Sequence, residues 1–152
     1  MNKKYRTMYC GDVTESDIDK KIRVAGWIEN IRDHGGVLFL DLRDEHGVLQ
    51  VVSNDDSIFS GLTRESSITV SGKIRARSEE DYNNNISTGT VELLVDDLKV
   101  LGEAMHELPF EIRTSTSVNE ETRLKYRYLD LRNDKVHSNI VLRSKILKFI
   151  TA

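Results

Sequence analysis

The feature that most constrains this chain is a pair of strand patterns between residues 33 and 52. Asp33-His34-Gly35-Gly36 leads into Val37-Leu38-Phe39-Leu40-Asp41-Leu42-Arg43-Asp44. In an extended chain successive side chains alternate between faces, so Leu38, Leu40 and Leu42 share one side while Phe39, Asp41 and Arg43 share the other. The leucines make a core face. Taken alone, Phe39 has a plain reading as an outer aromatic covered by a loop or helix. Its neighbours favour another. A four-residue turn, Asp44-Glu45-His46-Gly47, precedes Val48-Leu49-Gln50-Val51-Val52, which sets Arg43 opposite Val48 and Asp41 opposite Gln50. Gln50 then lies on the Phe39 face, one diagonal away. A turn over residues 33–36 sets Arg32 opposite Val37, again on that face. An aromatic ring, an amide and a guanidinium together are what recognition of single-stranded RNA requires: stacking for affinity, hydrogen bonds for base identity and positive charge for phosphate.

The chain before Lys21 predicts a short helix capped by Thr14 or Ser16. From Lys21, Ile22, Val24, Gly26 and Ile28 alternate against Arg23, Ala25, Trp27 and Glu29, a strand whose parity disagrees with the face assigned to Arg32. A bulge near Gly26-Trp27 reconciles the two and bends the strand. Trp27 is assigned to the core rather than to a second stacking platform. Beyond the two strands already described, residues 53–66 predict a short helix with Ile58, Phe59 and Leu62 on one face. Residues 67–77 alternate again with Ile68, Val70 and Ile74 inward, a polar loop spans 78–89, and a fifth strand covers 90–100. Five strands with a short helix between the third and fourth is the order of an all-β OB-fold barrel, whose outer face on strands two and three, with its flanking loops, binds oligonucleotides or oligosaccharides.

The first domain is therefore expected over residues 1–102. Residues 103–119, which hold the single Pro109 and the run Thr114-Ser115-Thr116-Ser117, read as a connector. Residues 120–152 read as helical: Leu124, Tyr128 and Leu131 share one side of a first helix, and a second from Asp134 carries Val136, Ile140, Leu147 and Ile150 beside Leu142, Ile146 and Phe149. That helix is too apolar to stand alone and meets no glycine or proline stop, so this segment reads as the start of a larger, truncated domain.

A formal net charge of −3 argues against a protein that coats nucleic acid through bulk electrostatics, though not against a local site. Arg32, Arg43, Lys73, Arg75 and Arg77 are candidates to concentrate positive charge on one surface. No apolar run reaches the ~18 residues of a membrane span, and Met1-Asn2-Lys3-Lys4-Tyr5-Arg6 lacks a signal-peptide core, so no membrane partner is expected. The single Cys10 fits a reducing, cytoplasmic setting. His34, His46, His106 and His137 show no metal-ligand spacing with Cys10. Asp41, Asp44 and Glu45 resemble an acid pair but fit the backbone needs of a hairpin, and Gly35-Gly36 lacks both the pattern and the following helix of a phosphate loop. No catalytic, cofactor or metal residue is expected in this stretch.

Arg32-Asp33-His34-Gly35-Gly36, Phe39-Leu40-Asp41-Leu42-Arg43-Asp44, Gly47-Val48-Leu49-Gln50-Val51-Val52, Gly72-Lys73-Ile74-Arg75-Ala76-Arg77 and Arg123-Leu124-Lys125-Tyr126-Arg127-Tyr128-Leu129-Asp130-Leu131-Arg132 closely resemble bacterial-type aspartyl-tRNA synthetases, from about Tyr9 onward. The resemblance implies the anticodon-binding part of a class II enzyme, a homodimer that charges tRNA(Asp) with aspartate using ATP and Mg2+. The catalytic signatures are absent from this stretch, which by itself is expected to be inactive. Carried over by residue, the resemblance implies that Phe39 stacks on the middle anticodon base and Gln50 hydrogen-bonds it. Arg32 contacts bases or adjoining phosphates, and Glu92 accepts protons from a guanine-type first base. Arg75, Arg77 and Asn83 give supporting contacts, whereas Asp81, where relatives can carry asparagine, is assigned none. His34 resembles the group that also accepts tRNA(Asn). Two other readings remain: a free-standing OB-fold protein for single-stranded nucleic acid, and an OB module for protein or oligosaccharide.

Overall fold

The computed structural model describes residues 4–105 and 107–151; Met1 to Lys3, His106 of the expected connector and Ala152 lie outside the described residues. The chain divides into two compact units, Met1–Met105 and His106–Ala152.

In the first unit five strands are hydrogen-bonded into a closed ring: β1 (Lys21–His34), β2 (Val37–Arg43), β3 (Val48–Ser53), β4 (Ser67–Ala76) and β5 (Val91–Gly102), in the spatial order β1-β2-β3-β5-β4. The β3–β5 seam is parallel and the other pairings are antiparallel. The alternation explains the interior. Leu40 and Leu42 of β2, Leu49 and Val51 of β3, Val24 and Ile28 of β1, Ile68, Val70 and Ile74 of β4, and Val91 and Leu93 of β5 fill one buried cluster. Each such side chain contributes roughly 1.5–3 kcal/mol by leaving water.

The expected pairing across the second hairpin is present, with Asp41 opposite Gln50 and Arg43 opposite Val48. The first hairpin is tighter than expected. Gly35 and Gly36 alone make the turn, at φ of +65° and +96°, the double left-handed geometry that glycine adopts without penalty. His34 therefore pairs with Val37, and Arg32 lies opposite Phe39 rather than Val37. The shift is two positions, so Arg32 keeps its face. The bulge in β1 lies between Ile28 and Asn30, not at Gly26-Trp27. Gly26 has a different duty: a Cβ there would stand 2.2 Å from the Arg43 carbonyl oxygen.

Three further expectations are corrected. The helix expected between the third and fourth strands is a single 3₁₀ turn, Asp56–Phe59, whose Phe59 is buried while Ile58 and Leu62 pack alongside. The helix before β1 is likewise a 3₁₀ turn, Glu15–Asp17, held by a reciprocal cap between Thr14 and Asp17. Trp27 is half-buried outside the core cluster, opposite Arg43 and Ser67, because its parity sends it outward.

In the second unit, Phe110 and Ile112 pack with Leu129. The expected helix from Glu120 breaks at Tyr126 into α1 (Glu120–Lys125) and α2 (Arg127–Asp130). The break turns Leu124 and Tyr128 to solvent and buries Leu129 in their place. Buried Asp130 stands behind this choice, since Arg123 reaches it at 3.0 Å and Arg127 at 2.5 Å. Burial by itself would raise the Asp130 pKa, but its hydrogen bonds and these two charges outweigh that and hold it below the usual carboxylate value. α3 (Asp134–Thr151) begins where Asn133 Oδ1 accepts from the backbone N–H groups of Lys135 and Val136.

Candidate nucleic-acid interface

On the outside of the ring one polar residue from each strand joins a continuous row. Arg32 of β1 donates from Nη2 to Asp41 Oδ1 of β2 at 2.8 Å and to Gln50 Oε1 of β3 at 3.3 Å. Gln50 Nε2 donates to Glu92 Oε2 of β5 at 2.8 Å, and Glu92 Oε1 accepts from Arg75 Nε of β4 at 2.6 Å. Strand order brings this about. Gln50 precedes the Val51–Leu93 pair on β3 as Glu92 precedes it on β5, and Arg75 is the antiparallel partner of Glu92.

The row has two levels, which alternation alone did not reveal. Gln50 and Glu92 are floor residues, 7% and 6% exposed, whereas the side chains of Arg32 and Arg75 form a rim, 41% and 44% exposed. Phe39 stands half-buried directly opposite Arg32, and the His34 ring meets it edge-on, with centroids 5.6 Å apart and planes at 76°. A phenyl ring in such a T-shaped contact is restrained in orientation, and being half-buried it keeps surface on which a base could stack.

Arg77, just past the end of β4, also belongs to the floor. Its Nε donates to the Val91 carbonyl at 3.0 Å, while its Nη2 is buried without a hydrogen-bond partner among the described residues. Burial pushes its pKa down, and the carboxylates of Glu92 and Asp41 pull it back up. Arg32, Arg75 and Arg77 thus gather three guanidiniums on one face of a chain of net charge −3, balanced by the carboxylates of Asp41, Glu92 and, in the adjoining loop, Asp81.

Not every expected residue joins the row. Arg43 has the outward parity but is buried, within 3.5 Å of Glu29 and 2.7 Å of Glu65, so it adds no charge to the face. Lys73 pairs with Asp19 at 2.8 Å. Asn83 sits in the loop between β4 and β5, where its Oδ1 accepts from the Asn85 backbone N–H at 3.1 Å and shapes the turn. Asp81 is bonded to Ser78 in the same loop. Asp41, not assigned a role from the sequence, is in the row; its place opposite Gln50 was the available signal.

The hairpin between β2 and β3 is fixed from outside. Asp44, buried, accepts from Cys10 N at 2.7 Å, His46 N at 2.9 Å and Gly47 N at 3.3 Å, a backbone role rather than an acid pair. Burial pushes the Cys10 thiol well above its ordinary value, which leaves it a packing residue rather than a nucleophile. Among the described residues no group of three or more His, Cys, Asp or Glu side chains could hold a metal ion, and no helix is long and apolar enough to cross a membrane.

Comparison with known proteins agrees with this geometry. Residues 22–101, just over half of the chain, match the tRNA anticodon family of OB-fold nucleic acid binding domains. The chain is 47% identical over 150 residues to an aspartate–tRNA(Asp/Asn) ligase of Orientia tsutsugamushi and 42% identical over 151 residues to an aspartate–tRNA ligase of Streptomyces griseus. It is covered to 95% and 97% in these alignments, but spans only about a quarter of either relative, 25% in each case. Among solved structures, asparaginyl-tRNA synthetase from Pyrococcus horikoshii superposes with a TM-score of 0.76 at 26% identity, over 93% of this chain and 33% of that one. Aspartyl tRNA synthetase from Entamoeba histolytica reaches 0.82 at 19% identity, over 99% of this chain and 38% of that one, a likeness of fold.

Proposed function

Because the chain belongs to the tRNA anticodon family of OB-fold nucleic acid binding domains, we propose that it is the anticodon-reading part of an aspartate–tRNA ligase, and that the outer face of its closed five-strand barrel holds unstacked anticodon bases. The observation that carries this reading is the row Arg32–Asp41, Gln50–Glu92–Arg75 laid beside the half-buried ring of Phe39. In it Phe39 stacks on the middle anticodon base and Gln50 reads that base by hydrogen bonds. Glu92, acceptor-only when ionised, takes the ring N–H and amino protons of a guanine at the first position. A base without those donors would set its own acceptors or apolar edge against the acceptor sites that Gln50 and Arg75 leave over on a buried carboxylate, which is costly. Arg32, Arg75 and Arg77 meet phosphates or base edges, and Asn83 holds the adjoining loop.

The whole enzyme of this reading, a cytoplasmic homodimer, joins aspartate to tRNA(Asp) at the expense of ATP. It would hold ATP and Mg2+ outside residues 1–102, the anticodon domain; residues 103–119 connect, and residues 120–152 open the catalytic part. His34, braced on Phe39, supports acceptance of tRNA(Asn) as well, since it lies on the face where the anticodon would run.

Titration of the 152-residue chain with the anticodon stem-loop of aspartate tRNA and with polyuridine of equal length tests this. The reading expects the stem-loop to bind at least about tenfold tighter, a difference of ~1.4 kcal/mol. Equal affinities would leave an OB-fold protein without base preference.

A further inference from the structure

From the hydrogen bonds around Gln50 we infer that Asp41 is a positioning residue for base identity: through Arg32 it fixes which end of the Gln50 amide faces which neighbour. The inference rests on the anticodon reading above. An amide side chain has an acceptor end and a donor end, and a half-turn about its last bond exchanges them. At Gln50 the two neighbours forbid the exchange. The Arg32 guanidinium can only donate and the Glu92 carboxylate can only accept, so Oε1 must face Arg32 and Nε2 must face Glu92. Turned around, the amide would set its N–H groups against a guanidinium and its oxygen against a carboxylate.

Arg32 can play this part only if it stays in place, and its side chain is 41% exposed. Asp41 supplies the anchor. Its Oδ1 accepts from the same Nη2 that donates to Gln50, at 2.8 Å against 3.3 Å, so the shorter, charge-assisted bond holds the nitrogen that the longer one uses. Asp41 is also the cross-strand partner of Gln50, which places its carboxylate beside the amide without occupying the amide's own atoms. With one hydrogen committed to Glu92 and one lone pair to Arg32, the amide keeps one N–H and one lone pair in a fixed order. A pyrimidine edge with neighbouring acceptor and donor, as in uracil, matches that order. Cytosine, with the donor and acceptor interchanged at those positions, does not.

The test is the ratio of affinities of the 152-residue chain for aspartate anticodon stem-loops with uracil or cytosine at the middle position. It is measured for the wild type, Asp41→Asn and Asp41→Glu, with the melting temperature of each. Asp41→Asn keeps the shape and removes the charge. It should lower the uracil-over-cytosine ratio by about fivefold, the effect of reducing one charge-assisted ordering bond to a neutral one. Discrimination at the first anticodon base should fall less, because Arg75 holds Glu92 whichever way the amide lies. Asp41→Glu restores the charge and should recover part of the ratio. A ratio that survives Asp41→Asn, or one that falls together with first-base discrimination and melting temperature while Asp41→Glu behaves identically, overturns the inference and leaves the anticodon reading intact. A wild type with no middle-base preference overturns both.

Discussion

The Gln50 amide donates to the Glu92 carboxylate at 2.8 Å across the parallel seam between β3 and β5. The two residues are 42 positions apart in the chain, and their meeting turns two separate strand patterns into one surface. Both are buried, and both are satisfied by half-exposed guanidiniums above them. A buried polar pair of this kind is costly to leave half-made, and on the proposed reading that cost is what would let the face reject a wrong base.

Phe39 is the ring proposed to stack on a base at that face. Replacement by alanine should weaken stem-loop binding by about 1–3 kcal/mol, the worth of one base–aromatic stack. The ring is half-buried outside the core cluster, so the melting temperature should move little. Calorimetric titration and thermal melting of the same variant check both halves. A collapse in melting temperature would make Phe39 a structural residue.

Glu92→Gln should remove the preference for guanine at the first anticodon position. The neutral amide keeps the volume but presents an N–H group to donors, either Arg75 Nε or Gln50 Nε2. The expected loss of guanine-over-adenine discrimination is about 1.5–3 kcal/mol, the range for a hydrogen bond to a charged group. Parallel titrations with the two stem-loops measure it, and an unchanged ratio would place first-base recognition elsewhere.

His46 gives a pH prediction for the hairpin behind the face. Its Nδ1 lies 2.8 Å from Asp12 Oδ1 and its ring stacks on Tyr9 with centroids 3.9 Å apart. The hydrogen bond to Asp12 raises its pKa, with the charges of Asp12, Asp44 and Glu45 acting in the same direction against a smaller effect of burial. Since the folded value stands above the unfolded one, the pair's stabilisation is complete below about pH 6.5 and fades as pH rises through the folded pKa. The side chains are largely exposed, so the effect on stability should be small. Titration of the His46 ring by NMR should give a midpoint above the ordinary histidine value, and Asp12→Asn should bring it down.

Much of this architecture was legible in local patterns. The alternation of Leu38, Leu40 and Leu42 defined the inner face of β2, and the length of the Asp44–Gly47 turn fixed Asp41 against Gln50. What escaped was non-local. The depth of Gln50 and Glu92 depends on rim guanidiniums brought from β1 and β4. The fate of Arg43 depends on Glu65, which approaches from a loop 22 positions away. Periodicity describes which side a residue faces, not what lies over it. The break at Tyr126 was hidden for a related reason: helical spacing fitted Leu124 and Tyr128, while the pull of Arg123 and Arg127 on buried Asp130 chose Leu129.

The most direct test of a base-reading face is to watch the Phe39 ring while the aspartate anticodon stem-loop is added. A base stacked on that ring should shift its aromatic proton resonances upfield, and the largest backbone amide changes should fall on Arg32, Phe39, Gln50, Arg75 and Glu92. Ring resonances that stay fixed at saturating RNA, with amide changes confined to residues outside these strands, would contradict the account.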